Sequence, residues 1–272
     1  MFAVLYMLDI EFSELSDTGR VRTHNEDYVG HVAPGSPAQT RSHGWLFALA
    51  DGVGGQRQGE VASRAAVQEA LAGFRRAKDG ASHKDVVTEL VRAANARVCE
   101  SEALSGRSGT GMASTIVVCA LRFDRATVAH VGDSRCYLIR SGDAKAITRD
   151  HTVAADQERL GLVTAEEAAE SSARHVLSRS LGMNLFVNVD IDEVQLLAGD
   201  VLLLSSDGLH GAVTAAEMAE AARRHRNLAA AAQELVDRAN EQDGGDNISL
   251  QLIRVRSVER MGMYRGRPYK LR

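Results

Sequence analysis

The sequence predicts an α+β fold with antiparallel sheets, and two features carry that prediction. Strand-like segments follow one another along the chain, and helical segments are grouped between these runs rather than alternating with them. A strict alternation of strands and helices would instead favour a parallel β-α-β sheet. The composition is typical of a globular protein, because 44% of the 272 residues are hydrophobic and 25% are charged.

The N-terminal part of the chain contains two apolar runs separated by turn residues. Met1–Leu8 has no basic segment before it and no small-residue cleavage site after it, so we predict a first strand rather than a signal peptide. Ala33–Gly44 contains two of the three prolines and is predicted to be a surface hairpin loop. Trp45–Ala50 is predicted to be a strand that delivers Asp51 to a site at its end.

Hydrophobic periodicity divides the rest of the chain into helices and strands. Apolar residues at helical spacing predict helices through Val67, Leu71 and Phe74, through Val86, Leu90, Ala94 and Val98, and at about 152–170 and 214–241. The predicted strands are Thr115–Leu121, Ala126–Val131, Arg135–Arg140, the alternating segment Phe186–Val194, Val201–Leu204 and a last strand through Ile248, Leu250 and Leu252.

Charge, cysteine content and hydropathy limit the partners and the location. The net charge of −4 lacks the basic excess of a nucleic-acid-binding surface, so we expect no nucleic-acid partner. Cys99, Cys119 and Cys136 are too few and too dispersed for a disulfide framework or a cysteine-based zinc site. Since no apolar run approaches the length of a membrane span, we expect no membrane insertion. Together with the dispersed cysteines and the lack of a signal peptide, this predicts a cytoplasmic protein, and a monomer is the default expectation.

Aspartates beside glycines recur at widely separated positions. Asp51, Asp133 and Asp207 each follow a strand-like run and have a glycine next to them, and Asp246 lies in a Gly-Asp-Asn sequence. Carboxylates that converge repel one another unless a cation neutralises them, and oxygen-only ligands suit Mg²⁺ or Mn²⁺. An Asp-Gly pair alone is also a common β-turn, so the spacing by itself does not name a reaction.

Six short motifs occur in order along the chain. They are Gly19–Asp27 (GRVRTHNED), Ala50–Gly55 (ADGVGG), Gly111–Thr115 (GMAST), His130–Arg135 (HVGDSR), Ser205–Leu209 (SSDGL) and Gly245–Asn247 (GDN). Each motif is weak alone, but together, over about residues 10–255, they resemble the metal-dependent Ser/Thr protein phosphatases of type 2C in their bacterial form. The resemblance implies a central antiparallel β-sandwich flanked by helices on both sides, in α/β/β/α layers.

The resemblance also implies a set of metal ligands. Asp51 would bridge two Mn²⁺ or Mg²⁺ ions, with the Gly52 carbonyl as a further ligand of one ion. Asp207 and Asp246 would complete the ligands of the other ion. Asp133 matches the position that binds a weaker third metal together with Asp207.

Further motif residues are implied to act on water and substrate. Glu26 and Asp27 would hold metal-bound waters, and Asn247 would orient the ligand next to it. Arg22 would bind the substrate phosphate, because a guanidinium group fits two phosphoryl oxygens. The two cations would lower the pKa of a shared water and stabilise the attacking and leaving oxygens of an in-line displacement without a phosphoenzyme.

One position departs from the pattern of the family. Eukaryotic members often carry a histidine, a candidate general acid, two residues after the bridging aspartate, where this chain has Val53. A metal-bound water or a nearby histidine is then the alternative proton donor. His24 adjoins the Asn-Glu-Asp motif and His151 follows Asp150 at a strand end, although we expect a structural or solvent-exposed role for each.

Two segments lie between or beyond the motifs. Residues 152–178 resemble the family's flap beside the active site, and Thr164 with Glu167 predicts a capping box there. Such a flap would contact the protein part of the substrate, and a plain surface helix and loop is the alternative.

Residues 1–255 are predicted to form a single catalytic domain. Residues 256–272, with six Lys/Arg and one Glu, are predicted to be a basic C-terminal tail that is solvated or else docks a partner.

The leading hypothesis is a metal-dependent phosphatase that hydrolyses phosphoserine and phosphothreonine in proteins. Its implied partners are phosphorylated proteins, namely a bacterial Ser/Thr kinase and the targets of that kinase. A phospho-binding regulatory module without turnover is one alternative, although the presence of Asp51, Asp207 and Asp246 argues against it. A small-molecule phosphohydrolase is the other alternative, which the ligand residues alone do not exclude.

Overall fold

The computed structural model describes residues 5–53, 58–104, 111–264 and 267–270, and the side chains within these ranges from residue 7 to residue 259. Residues 1–4 of the predicted first strand and the motif glycines Gly54 and Gly55 lie outside the described residues. The strands are β1 (Leu5–Asp17), β2 (Asp27–Val32), β3 (Trp45–Val53), β4 (Ala113–Ser114), β5 (Ile116–Arg122), β6 (Arg125–Val131), β7 (Arg135–Arg140), β8 (Asp143–Ala146), β9 (Asp190–Gln195), β10 (Val201–Ser205), β11 (Ile248–Tyr264) and β12 (Arg267–Lys270). The helices are α1 (Pro37–Ser42), α2 (Gln58–Arg76), α3 (His83–Leu104), α4 (Val153–Arg159), α5 (Ala165–Glu170), a 3-10 helix (Ser172–His175), α6 (Asp207–His210), α7 (Ala215–Arg224) and α8 (Leu228–Gln242).

The described strands form two sheets in which every pairing is antiparallel. The first sheet has the order β2–β3–β5–β6–β9, with the short β4 paired to β3. The second sheet has the order β1–β11–β10–β7–β8, with β12 paired to β11. The predicted α+β class with antiparallel sheets is therefore confirmed.

Side chains along β3 alternate between two apolar layers. Leu46, Ala48 and Ala50 are buried against α2 and α3, whereas Phe47 and Leu49 are buried between the two sheets. A third cluster of buried residues joins β7, β10 and β11 to α7 and α8 on the far side of the second sheet. The layers are therefore α/β/β/α, as the resemblance implied. None of the described helices is long and apolar enough to cross a membrane.

The predicted hairpin loop at Ala33–Gly44 contains the short helix α1 instead. Ser36 caps this helix, because its side chain accepts a hydrogen bond from the backbone N–H of Gln39. Pro37 follows at the first helical position, where its missing N–H would have no partner within the helix.

Each long helical segment predicted in the C-terminal half is divided into two. Residues 152–170 form α4 and α5, which are separated by a turn at Gly161 with φ +70°. Helix α5 begins at the capping box of Thr164 and Glu167, which confirms that prediction. Residues 214–241 form α7 and α8, because Asn227 accepts a backbone hydrogen bond and starts a new helix.

Two predicted strand ends differ from the structure. β9 begins at Asp190 rather than at Phe186, because its pairing with β6 ends at His130. Residues 256–264 differ from the predicted solvated tail, because they continue β11, pair with β1 and then form a hairpin with β12. The predicted domain boundary at residue 255 therefore falls inside a strand. Residues 265–266 and 271–272 of the tail lie outside the described residues.

Candidate active site

A cavity of about 960 Å³ brings together residues from both sheets. Its wall contains eight residues that the sequence predicted, namely Arg22, Glu26, Asp51, Gly52, Asp133, Asp207, Asp246 and Asn247. Asp27 is buried next to this group and is paired with Asp51 across β2 and β3. The predicted metal ligands, which are up to 195 positions apart in the chain, therefore lie in the wall of one cavity.

Asp51 is held inside β3 rather than at its end. The strand continues to Val53, and Gly52 pairs with Ser114 on β4. The Asp51 backbone N–H donates to Thr115 Oγ1 at 2.9 Å, and the Thr115 N–H donates to the Asp51 carbonyl at 2.8 Å. Because the backbone on both sides of Asp51 is hydrogen-bonded, its carboxylate has a defined position in the cavity wall.

Gly52 and Gly59 bring β3 into close contact with the start of α2. A Cβ atom on Gly52 would lie 2.1 Å from the Gly59 carbonyl oxygen, and one on Gly59 would lie 2.6 Å from the Gly52 oxygen. The Gly52 N–H donates to the Glu26 carbonyl at 3.1 Å. Neither glycine tolerates a side chain here, so the two backbones and Glu26 form one tightly packed part of the wall.

Ser206 connects Asp27 to the strand that leads to Asp207. The Ser206 hydroxyl donates to Asp27 Oδ2 at 2.8 Å and accepts from the backbone N–H of Ser249 at 3.0 Å. Asp207 then begins the short helix α6 rather than forming the turn that its Asp-Gly sequence also allowed. Asp27 Oδ1 and Asp207 Oδ1 are both buried without a hydrogen-bond partner.

Asn247 fastens the loop before β2 to the residue beside Asp246. Its Oδ1 accepts from the Glu26 backbone N–H at 2.8 Å, and its Nδ2 donates to the carbonyl oxygens of Thr18 and His24, each at 2.9 Å. Its own backbone N–H donates to Asp246 Oδ1 at 2.8 Å. This one side chain therefore sets the distance between the loop that carries Arg22 and Glu26 and the start of β11.

Arg22 lies half-exposed in the cavity wall. Its guanidinium donates to Asp246 Oδ2 at 2.8 Å, and its pKa is raised above the usual value because Asp246, Glu26 and Asp51 outweigh the cost of its partial burial. The group therefore stays charged and keeps further N–H donors available for a second anion.

Asp133 is presented by the tight turn between β6 and β7. Gly132 has φ +106°, and a Cβ atom there would lie 2.6 Å from Thr115 Cγ2, so only glycine fits. Both backbone groups of Gly132 are bound by His151: the Gly132 N–H donates to His151 Nδ1 at 3.1 Å, and the His151 N–H donates to the Gly132 carbonyl at 3.0 Å.

Four carboxyl groups at the cavity, those of Asp27, Asp51, Asp133 and Asp207, have a raised pKa. Burial, followed by the charge of neighbouring carboxylates, raises the pKa of Asp27 and of Asp133 to about 7 each and the pKa of Asp51 well above its usual range. The pKa of Asp207 is raised for the same two reasons. A divalent cation would offset the repulsion between the carboxylates and would give the unpartnered Asp207 oxygen a partner, while a water on the ion would give one to the Asp27 oxygen. These oxygen-only donors fit Mg²⁺ or Mn²⁺.

A second cluster lies outside the cavity and consists of His130, His151 and Asp190, with one ligand atom of each within 4.8 Å of the others. His151 Nδ1 already accepts the Gly132 N–H, so in the neutral ring Nε2 carries the proton, 3.2 Å from Asp190 Oδ2. Burial lowers the pKa of His151 to about 4, which keeps the ring neutral. The two imidazoles stack 4.6 Å apart with only 14° between their planes, so one ion cannot lie in both ring planes. We interpret this cluster as support for the turn that carries Asp133.

Among the wall residues that sequence reasoning did not identify are His175, Val176, Leu177 and Met183. They lie in the predicted flap and in the loop that follows it, where no motif distinguishes them from ordinary surface residues. Val53 also lines the cavity, whereas neither His24 nor His151 is among its wall residues. Of the histidines that the structure describes, His175 is the one in the wall of this cavity, and His210 lies with Asp133 and Asp207 in an adjoining pocket.

A four-layer sandwich with a cavity lined by oxygen donors that suit divalent cations is the arrangement of a metal-dependent enzyme. The family described as Protein phosphatase 2C matches residues 13–248. The chain therefore belongs to the protein phosphatase 2C family, and it is a metal-dependent serine/threonine protein phosphatase, as its motifs predicted.

Known relatives match nearly the whole chain. The serine/threonine phosphatase stp of Listeria innocua is 32% identical over 93% of this chain and 96% of its own length. The solved structure of the Streptococcus agalactiae serine/threonine phosphatase is 30% identical, has a TM-score of 0.80, and covers 91% of this chain and 100% of its own. A catalytic domain of the phosphatase PstP, solved with two manganese ions, is 30% identical, has a TM-score of 0.76, and covers 93% of this chain and 99% of its own.

Proposed function

We propose that this phosphatase hydrolyses phosphoserine and phosphothreonine in proteins with two Mn²⁺ or Mg²⁺ ions bound in the carboxylate cavity. The observation that carries the proposal is the presence of Asp51, Asp207, Asp246 and Arg22 in the wall of one cavity. The two manganese ions of the PstP structure support the number and the kind of ion. The cluster of raised carboxyl pKa values supports metal binding at this site rather than elsewhere.

Asp51, the Gly52 carbonyl, Asp207 and Asp246 would hold the two ions, and Asp133 with Asp207 would hold a weaker third. When bound, such ions lower the pKa of coordinated water and stabilise the charge that develops on the phosphoryl oxygens. The contribution of the chain is to keep these carboxylates close together despite their mutual repulsion, so that they bind cations strongly.

Arg22, Glu26 and Asp27 would act on the substrate and on water. The guanidinium of Arg22 would bind two oxygens of the phosphoryl group, because its partner Asp246 occupies only part of its donor set. Glu26 is fixed through its backbone by Asn247, and Asp27 is fixed through Oδ2 by Ser206. Their remaining carboxylate oxygens would accept hydrogen bonds from water and so orient it toward phosphorus.

The substrates would be a Ser/Thr kinase and the proteins that this kinase phosphorylates, and the enzyme would act as a monomer in the cytoplasm. The bacterial serine/threonine phosphatases among its relatives support the substrate class. Phosphoproteomics of a strain lacking the gene tests the pathway, because the sites that gain phosphate are the substrates. If no serine or threonine site gained phosphate, the proposed pathway would be wrong.

The experiment for the activity is release of phosphate from a phosphothreonine peptide. We expect turnover that EDTA abolishes and Mn²⁺ restores, and that is lost in Asp207→Asn but kept in the exposed control Asp192→Asn. Activity that survives EDTA or Asp207→Asn would contradict the metal assignment. A higher kcat/KM for nucleotide or sugar phosphates than for phosphopeptides would favour a small-molecule phosphohydrolase.

A further inference from the structure

The loop Gly182–Phe186, which follows the flap, holds large apolar side chains in solvent. The exposed fraction is 59% for Met183, 78% for Leu185 and 93% for Phe186. A flexible loop of this composition would reduce its contact with water by folding these side chains inward. Their exposure therefore needs a structure that holds the loop in place.

Asn95 on α3 holds the loop in place through hydrogen bonds. Its side chain is 1% exposed, and all of its hydrogen bonds in the structure go to this loop. Oδ1 accepts from the Gly182 N–H at 2.9 Å, and Nδ2 donates to the carbonyl oxygens of Asn184 and Leu185 at 2.8 and 3.1 Å. A buried amide with its hydrogen bonds directed at three successive parts of one loop fixes the backbone of that loop.

Close packing at Gly182 also fixes the start of the loop. Gly182 has φ +87°, and a Cβ atom there would lie 2.4 Å from the Met112 carbonyl oxygen and 2.8 Å from a methyl carbon of Val98. The loop is therefore tied to α3 and to the segment before β4, and it has no freedom to cover its own apolar side chains.

The loop is continuous with the active-site cavity. Gly182 and Met183 lie in the cavity wall together with Asp51 and Asp207, and so do the partly exposed Val53 and Val176. A protein segment that places its phosphorylated residue at the carboxylates must pass over the rim of this cavity. Part of that rim is apolar and rigid.

We infer that the Gly182–Phe186 loop, with Val53 and Val176, is a docking surface for apolar side chains that flank the phosphorylated residue of a protein substrate. This inference rests on the proposed hydrolysis of phosphoproteins and adds a sequence preference to it. Apolar residues next to the phosphorylated residue lose water on this surface, and a rigid loop binds them without the entropic cost of becoming ordered.

Two phosphothreonine peptides test the inference. They are identical except that one has leucine, and the other serine, at the second and third positions on both sides of the phosphothreonine. We expect kcat/KM to be about tenfold higher for the leucine peptide, which corresponds to burial of one or two apolar side chains. In Leu185→Ser/Phe186→Ser, whose side chains are too exposed to affect folding, we expect the ratio to fall to about twofold or less.

Leu197→Ser is the matched control. Leu197 is also apolar and 50% exposed, but it is far from the cavity. It follows the last residue of β9, Gln195, which pairs with Arg125 at the end of β6 farthest from the Asp133 turn. Its substitution should leave the tenfold ratio unchanged. Equal kcat/KM values for both peptides in the unmodified enzyme, or a ratio that persists in the double variant, would overturn the docking surface while leaving the phosphatase activity intact. Turnover of neither peptide in the presence of Mn²⁺ would contradict both the docking surface and the proposed function.

Discussion

Asp27 and Asp51 are directly paired across the neighbouring antiparallel strands β2 and β3. Like charges in such a position destabilise a sheet. Each carboxyl group has a raised pKa, for which burial is the largest cause, and the charge of Asp27 is the next cause for Asp51. At the centre of the candidate active site, the metal-free fold therefore carries an electrostatic repulsion between two neighbouring carboxyl groups.

Removing one of these charges should stabilise the metal-free protein. In EDTA, we expect Asp51→Asn to raise the melting temperature by about 2–4 °C, the effect of roughly 1 kcal/mol of relieved repulsion in a chain of this size. Mn²⁺ should raise the melting temperature of the unmodified protein but not that of the variant. Thermal unfolding of both proteins, with exposed Asp192→Asn as control, measures this. A variant that melts lower in EDTA would show that the Asp51 carboxyl group stabilises the metal-free fold more than its repulsion of Asp27 destabilises it.

Arg22 should contribute to substrate binding as a two-donor group. Arg22→Ala is expected to raise KM for a phosphopeptide by about ten- to a hundredfold, the loss of one charge-assisted contact of about 1.5–3 kcal/mol. Arg22→Lys should recover only part of this, because an ammonium group does not bind two oxygens in one plane. Arg64→Ala is the control, since Arg64 is also about half-exposed and paired with a glutamate at 2.8 Å. Equal KM values for all four proteins would remove Arg22 from phosphate binding.

Two glycines of α2 should respond differently to alanine. In Gly59→Ala the new methyl group meets backbone, the Gly52 carbonyl, at 2.6 Å, whereas in Gly73→Ala it meets only the end of the Leu90 side chain at 2.5 Å. We expect Gly59→Ala to lose at least about 2 kcal/mol of unfolding free energy and most of its activity. The unfolding free energy of Gly73→Ala should stay within about 1 kcal/mol of that of the unmodified protein, because the higher helix propensity of alanine offsets the shift of the Leu90 side chain. Urea unfolding and phosphopeptide turnover compare the two variants, and similar losses in both would contradict the backbone contact.

Acid should destabilise the protein through His83. This histidine is buried, its Nε2 hydrogen-bonds to the His43 carbonyl at 2.7 Å, and burial lowers its pKa from 6.5 to about 4. A histidine that stays neutral when folded contributes stability that is fully present above pH 6.5 and is lost as the pH falls toward 4. The decrease in the free energy of unfolding reaches about 3 kcal/mol at most. Urea unfolding at pH 7 and at pH 4.5 measures this. Between the two pH values, the free energy of unfolding should fall less for His83→Gln than for the exposed control His24→Gln, and an equal fall in both would refute the role of His83.

Most of the candidate site could be predicted from the sequence because each predicted ligand lies in a short local motif. Asp207 follows an apolar strand, and Asp246 precedes another, so their placement at strand ends needed no knowledge of distant contacts. The local geometry was less predictable. An Asp-Gly pair lies inside a strand at Asp51 and starts a helix at Asp207, because neighbouring strands and Ser206, not the dipeptide, determine the backbone there.

Elements that depend on distant partners could not be predicted. The alternating residues before Asp190 look like strand, but β6 offers only one more residue, Val131, beyond the partner of Asp190. The charged residues after Val255 look solvated, but β1 is long enough to pair with them as far as Leu5. Likewise, the exposure of Phe186 depends on hydrogen bonds from Asn95, some 90 residues earlier in the chain. In each case the deciding residue is remote in sequence.

The two sheets would contribute different ligands to the proposed metal site. Asp51 belongs to β3 of the first sheet, whereas Asp207 and Asp246 flank β10 and β11 of the second. Ions bound between them, as proposed, would join the sheets in addition to hydrogen bonds such as that from Ser206 to Asp27. A chain without its ions would open there more often, and proteases act on such openings. The amount of this enzyme should therefore fall when manganese is scarce, even with its gene expressed at a constant rate.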